Sequence, residues 1–421
     1  MEFSLFGQRF SQDAGILELM DDLGQALESP GTKVMLGGGN PASIPEMNRI
    51  WRQRLGEILA RDGEVEAMVA QYDAPGGRAG FKEAMAAFLS RNFGWKVGPE
   101  NVVVTGGSQT GFFLLFNLLA GEFSGGRRKK VLFPLAPEYI GYADQALGPG
   151  QFLSQRPLVV EEERAFFKYY VDFADLELGP DLGAICAGRP TNPTGNVLTD
   201  EEVGHLARLA GEAGVPFLLD NAYGSPFPSI LFEPVKPYWD ENTVLSMSLS
   251  KLGLPSVRTG ILVAPEPIAR AVASANAIMN LTNPGIGQAL VLPLLVDNAL
   301  VTLSRDVIRP FYLLRRDFAL AAVDRIFDRR FPYRIHRPQG SIFLWFWFPE
   351  LTIGSRELYR RLKERGVLVV PGDGFFFGLP PEDDGWTHRH QCVRVNYARE
   401  PDEIEAGFTL LAQVVEEAQR S

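Results

Sequence analysis

Lys251 is the residue in this chain best placed to act as a nucleophile. It ends the string Ser248-Leu249-Ser250-Lys251, which closes an apolar run at 244–249, and Arg258 and Gly260 follow shortly after. An ammonium at the edge of a buried strand is costly to desolvate. Its pKa therefore falls, and the free amine becomes available to attack a carbonyl carbon. Ser248, Ser250 and Arg258 add the hydroxyls and the guanidinium that a phosphate group would need. The plainer reading of the same residues is a loop lysine beside a loop arginine. A second string, Asp220-Asn221-Ala222-Tyr223, closes the run at 216–220. An acid there can pair with a protonated ring nitrogen, and a tyrosine three residues on can reach a phenolate oxygen. An Asp that merely caps the next turn would look the same.

Two more turns have the same setting. In Arg189-Pro190-Thr191-Asn192-Pro193-Thr194-Gly195-Asn196, two prolines and a glycine force a sharp reversal that can aim Asn192 inward. Thr105-Gly106-Gly107-Ser108-Gln109-Thr110 lies between a strand-like and a helix-like stretch, and free amides at a helix start bind phosphate. That turn lacks the spacing of a nucleotide-binding Walker loop, and no acid stands where a dinucleotide site requires one. Pyridoxal phosphate presents both groups that the string at 220–223 would meet, a cationic ring nitrogen and a phenolate oxygen, and all four turns fall at strand ends of one presumed sheet.

The elements that must position these turns alternate. Short apolar or β-branched runs occur at 102–105, 131–134, 184–187, 216–220, 244–249 and 260–264. Helical spacing separates several of them, at 111–119 and 201–213. Buried runs alternating with helices predict an α/β fold with a mostly parallel sheet, whose strand ends carry ligands. Before it, helical spacing appears at 16–23, 47–59 and 80–93, with the turn Gly37-Gly38-Gly39-Asn40-Pro41 between the first two. After Pro284-Gly285 a long helical region reaches about residue 327, broken near Pro310. Strands at 341–348, 367–370 and 392–397 and helices at 357–364 and 403–418 then make a smaller α+β unit. The expected organisation is an arm at 1–45 packing on the small domain, a large coenzyme-binding domain at 46–295 and the small domain at 296–421.

Composition narrows the function classes. The 421 residues contain 41 Lys plus Arg against 51 Asp plus Glu, a net charge of −10 that argues against a nucleic-acid or anionic-membrane binder. Two cysteines exclude a disulfide framework. No secretory leader and no apolar run of ~18 residues is visible, so a cytoplasmic protein is expected. Cys186 and Cys392 read as packing residues. His388-Arg389-His390 lacks the ligand number of a zinc site, so no metal is expected, and a loop near the site is the favoured reading. Phe375-Phe376-Phe377 reads equally as a pocket wall or as plain packing.

The Asn-Pro-Thr-Gly, Asp-x-Ala-Tyr and Ser-x-Ser-Lys turns occur here in the order found in fold-type I, pyridoxal phosphate-dependent aminotransferases of class I/II, which the chain resembles. Longer blocks at 36–42, 131–144, 189–197, 220–228, 248–255 and 390–397 resemble a branch that exchanges the amino group between valine/2-oxoisovalerate and alanine/pyruvate. The resemblance implies that Lys251 forms the Schiff base and moves the proton, that Asp220 keeps the ring nitrogen protonated, and that Tyr223 and Asn192 contact the ring oxygen. It implies further that Gly107, Ser108, Gln109, Ser248, Ser250 and Arg258 hold the phosphate and that Tyr139 stacks on the ring. Gly39 and Arg394 would bracket the substrate carboxylate. Tyr72, in Tyr72-Asp73-Ala74-Pro75, would cross to the partner of a homodimer. One departure is that Arg258 follows Lys251 by seven positions, with Pro255 between, where the commonest spacing is eight. That shorter form is shared with aminoadipate-type aminotransferases and with coenzyme-sensing transcription regulators. The regulators carry a winged-helix domain ahead of the coenzyme motifs, which begin here by Gly37. A broader aliphatic or aminoadipate-like aminotransferase, or a β-lyase on the same lysine, is the alternative.

Overall fold

The computed structural model describes residues 2–11, 17, 34–328, 330–380, 383 and 385–420. The helix expected at 16–23 lies outside them, apart from Leu17.

One sheet is built from the apolar runs. In spatial order its strands are Val102–Thr105, Gly260–Val263, Thr243–Ser248, Phe217–Asp220, Leu182–Gly188 and Arg128–Phe133; Phe152–Ser154 and the short Gly121–Glu122 both pair with the last. Gly260–Val263 runs antiparallel to both its neighbours, and the central pairs are parallel. These strands do not alternate apolar with polar, because both faces are covered. Val103, Leu218, Val244 and Leu262 pack on one face with Phe112, Leu115 and Phe116 of the Ser108–Leu119 helix. Their neighbours Val102, Val104, Leu219, Leu245 and Ile261 enter the larger core on the other face. Cys186 lies in the first of these cores and is buried and free.

Register decides where chemistry can occur. Gly188 and Ser246 both stand opposite Asp220, and Thr105 and Ser248 both stand opposite Gly260. The carboxyl ends of four strands therefore meet at one edge, the edge at which open α/β sheets bind ligands.

A second sheet runs Val370–Pro371, Cys392–Asn396, Phe343–Trp347, Arg334–His336, Phe166–Tyr170 and Leu158–Glu161. Its last two strands come from inside the 46–295 stretch. The expected strand at 367–370 is two short ones. Val367–Leu368 pairs in parallel with Val34–Met35, so the stretch from residue 34 packs on the small unit as expected, while Val370–Pro371 joins the sheet. The Leu5–Phe10 helix departs from the expected arm, because Arg9 donates to the Ala146 carbonyl and Phe10 packs 6.0 Å from Phe113, both in the 46–295 stretch. The long helical region breaks not near Pro310 but at residues 297–298, where Asn298 takes a left-handed φ of 60° and Gly285–Val296 meets the next helix at 93°. That helix runs on to Phe327 and absorbs Pro310 just after a π-turn, Ser304–Ile308. Among the described residues, no single helix is long and apolar enough to cross a membrane.

Candidate active site

A cavity of about 450 Å³ opens at the carboxyl edge of the large sheet, against the second sheet. Lys251 sits in a single 3₁₀ turn, Ser250–Leu252, that follows the Thr243–Ser248 strand directly, so its side chain rises from the strand end. Nζ donates to the Gly39 carbonyl at 2.6 Å and lies 5.1 Å from the centre of the Tyr223 ring. Burial pulls the amine down to about 8, and the charges of Arg394 and Arg258 pull the same way, while Asp220 opposes them. A lysine so placed is partly unprotonated near neutrality, as a nucleophile or base must be.

Asp220 forms the floor. Tyr142 donates its phenol proton to Oδ2, and the Ala222 amide donates to Oδ1 at 3.0 Å. Burial raises the acid's pKa, and the two hydrogen bonds and Lys251 oppose the rise. Tyr139 and Tyr223 line the same space, and burial raises both phenols, so they are hydrogen-bonding groups there and not anions.

At the far end, Ser108, Gln109, Ser248, Ser250 and Arg258 come together at the start of the Ser108–Leu119 helix. Gly107 precedes that helix with φ of +97°, and a Cβ built on it would stand 2.3 Å from Nη2 of Arg258. Only glycine allows the guanidinium to lie so close to the backbone. The seven-residue spacing is absorbed by the Pro255–Val257 turn and by Arg258 itself, which takes a left-handed φ of 43°. Ser248 Oγ donates to Ser250 Oγ at 3.0 Å and accepts the Ser250 amide at 3.1 Å, which fixes both hydroxyls.

Arg394 stands mid-strand in the second sheet, opposite Trp345 and Val370, and is 2% exposed. Nη1 donates to Asn192 Oδ1 at 2.8 Å and Nη2 to the Gly37 carbonyl at 2.7 Å, and the Phe343 ring lies 4.1 Å from Cζ. Burial lowers its pKa to about 10, which leaves it charged at neutral pH. The guanidinium is thus clamped flat between the 189–196 turn and the Gly37–Gly39 segment, and Gly39 also lines the cavity. The turn is itself anchored. Arg189 pairs with Asp200 at 2.6 Å, and Thr199 and Glu202 form a reciprocal cap on the Asp200–Glu212 helix.

Every expected site residue except two lines the cavity. Gly107 backs Arg258 from behind, and Tyr72 is 83% exposed on the surface, away from this cavity. Tyr142 and Glu138 were not singled out by sequence reasoning. Tyr142 follows Tyr139 by three positions in a 3₁₀ turn, a spacing that places both rings toward the same space, but its partner is distant in sequence. Phe375 and Phe376 are fully buried, the former 5.3 Å from the Arg394 guanidinium. His388 does not line the cavity. It is buried against Trp386 and Trp347, with its ring nitrogen on the Tyr169 hydroxyl.

The residues fit pyridoxal phosphate. An acid sits where a ring nitrogen would need one, cations and hydroxyls cluster at a helix start, and an amine lies between. Arg394 Nε and Gln109 Oε1 on the cavity wall are buried with no hydrogen-bond partner among the described residues. Such a site on such a sheet is that of a coenzyme-dependent transferase. The chain belongs to the class I and II aminotransferases, whose family model matches residues 156–408, and it is a pyridoxal phosphate-dependent enzyme. It is 48% identical over 418 residues to a valine–pyruvate aminotransferase of Escherichia coli (strain K12), covering 99% of each chain. The crystal structure of a valine-pyruvate aminotransferase from Salmonella typhimurium LT2 superposes with a TM-score of 0.88 at 46% identity, over 96% of this chain and 100% of that one. An aspartate/prephenate aminotransferase of Thermus thermophilus is 25% identical over 350 residues, covering 82% of this chain and 83% of that one.

Proposed function

We propose that this aminotransferase moves an amino group between valine/2-oxoisovalerate and alanine/pyruvate through one site, in two successive half-reactions. The observation that carries the reading is the 48% identity, end to end, to a protein of that named activity. The cavity supports it, because Met35, Phe112 and Ile140 give part of its wall an apolar character suited to an aliphatic side chain.

Bound pyridoxal phosphate supplies an aldehyde carbon that exchanges the amino group and a cationic ring that accepts electron density from the substrate Cα. Ser108, Gln109, Ser248, Ser250 and Arg258, with the helix-start amides beside Gly107, hold the phosphate. Asp220 keeps a proton on the ring nitrogen. Asn192 and Tyr223, which line the same cavity, would donate to the ring oxygen, and Tyr139 would pack on the ring. Arg394 binds the substrate carboxylate beside Gly39, which sets Cα within reach of Lys251. Nζ of Lys251 would hold the coenzyme's aldehyde carbon and, as the free amine, would take the proton from the substrate Cα. A pocket that is only apolar separates aliphatic side chains by ~1–3 kcal/mol per methylene, so neighbouring amino acids are accepted to a lesser degree.

The organisation that goes with this reading is an arm at 1–45 whose end at residues 34–35 packs on the small domain, a large domain at 46–295 and a small domain at 296–421, with residues 158–170 lent to the small domain's sheet. The active form is a cytoplasmic homodimer in which Tyr72, exposed in one protomer, reaches the phosphate held by the other. The test is to add valine to the coenzyme-loaded protein and follow its visible absorbance. A change that pyruvate or 2-oxoisovalerate then reverses, with ping-pong kinetics, is expected. No response to valine or alanine contradicts the proposal.

A further inference from the structure

Lys168 lies in the Phe166–Tyr170 strand of the second sheet and is 1% exposed. Among the described residues no carboxylate forms an ion pair with it. Its ammonium instead donates to three neutral oxygens: Asn196 Oδ1, Gln339 Oε1 at 2.8 Å and the Val197 carbonyl at 3.1 Å. Burying a cation without a directly paired carboxylate is unfavourable, and desolvation lowers its pKa to about 8, with Arg337 adding to the fall and the charges of Glu202, Glu162 and Glu233 opposing it. A methionine would fill the same space without that penalty, so packing alone does not account for a lysine here.

What the three bonds achieve is a connection. Asn196 and Val197 close the turn that follows the Leu182–Gly188 strand of the large sheet, whereas Gln339 precedes the Phe343–Trp347 strand of the second. The turn is tied to the same centre twice more, since Asn196 Nδ2 donates to the Tyr169 carbonyl at 3.2 Å and the Val197 amide donates to Gln339 Oε1 at 3.3 Å. Within the turn, the Thr191 amide donates to the Asn196 carbonyl at 2.8 Å. Asn192, held between these points, accepts from Arg394 at 2.8 Å.

We propose that Lys168 is a positioning residue: its buried ammonium locks the 190–196 turn to the second sheet and thereby fixes the Asn192–Arg394 pair that grips the substrate carboxylate. This rests on the reading of Arg394 as the carboxylate site. Lys168 itself lines no part of the cavity.

The experiment compares Lys168→Met, Gln339→Leu and Gln339→Glu with the unaltered protein. A hydrogen bond to a charged group supports a change of about tenfold or more on its loss. In Lys168→Met, KM should rise at least that much for both the amino acid and the oxo acid, with kcat changed by a smaller factor. In coenzyme-free protein, amide exchange at Thr191 and Gly195 should speed up, with the Ser248–Lys251 turn unaffected. Gln339→Leu should show a smaller rise in KM, which keeps the test open if Lys168→Met does not fold. Gln339→Glu, which preserves the acceptor, should keep KM near the unaltered value. Lowered thermal stability with unchanged KM and unchanged amide exchange would overturn the proposal. Failure of the aminotransferase reading would look different, as an unaltered protein whose spectrum ignores amino acids.

Discussion

Tyr142 donates its phenol proton to Oδ2 of Asp220, so the acid on the cavity floor is held by a tyrosine whose turn also presents Tyr139 to the cavity. Burial alone would push Asp220 toward its neutral form, and this bond is the first effect that opposes it. Tyr142→Phe removes the donor. A charge-assisted bond contributes about 1.5–3 kcal/mol, so kcat should fall roughly ten- to a hundredfold with KM little changed. The acidic limb of the kcat profile should move to higher pH. Steady-state kinetics across pH checks both.

Glu138 is a second buried acid near Asp220, and burial raises it to about 8, with the Gly188 amide opposing and Asp220 adding to the rise. Its ordinary value in the unfolded chain is 4.5. Between these values the folded state keeps a proton that the unfolded state has lost, so this group's contribution to stability falls as pH rises from about 4.5 to 8. Glu138→Gln abolishes that dependence. Melting temperatures from pH 5 to 8 should therefore fall less in the variant than in the parent. Parallel curves would show that Glu138 is ionised throughout.

Arg394 uses both terminal nitrogens to hold its plane against Asn192 and Gly37. Arg394→Lys retains charge but cannot reproduce that two-point geometry. Truncating a buried, hydrogen-bonded charge costs about 2–5 kcal/mol, so kcat/KM should drop about a hundredfold or more. The loss should fall mainly on KM, for amino acid and oxo acid alike.

Gly107 admits the Arg258 guanidinium by lacking a Cβ. Gly107→Ala forces both a strained φ and a clash, each of order 1–3 kcal/mol. Coenzyme affinity, read by titration of the coenzyme-free protein, should weaken about tenfold or more. Catalysis at saturating coenzyme should change less.

The large sheet was legible because continuous apolar runs such as 184–187 and 260–264 are too short for helices and alternate with stretches of helical spacing, which marks them as strands covered on both faces. The site was legible because glycine, proline and charge fell together at their ends. The strands Leu158–Glu161 and Phe166–Tyr170 escaped notice: the first is largely exposed, and the second carries a lysine at its centre whose partners are distant in sequence. Tyr142 and Lys168 share that difficulty. Each acts through a residue dozens of positions away, 78 for Tyr142 to Asp220 and 28 for Lys168 to Asn196, and no local pattern marks such a pairing. The interruption expected near Pro310 falls elsewhere: the helix continues through Pro310 by way of the π-turn, and the chain bends by 93° at residues 297–298, where Asn298 takes a left-handed φ of 60°.

Borohydride reduction of the coenzyme-loaded protein, followed by peptide mass mapping, tests the central claim most directly. The coenzyme should be found fixed to the peptide that contains Lys251, and Lys251→Ala should abolish the label while leaving the fold intact. A label on any other lysine, or full transamination by Lys251→Ala, would contradict the account.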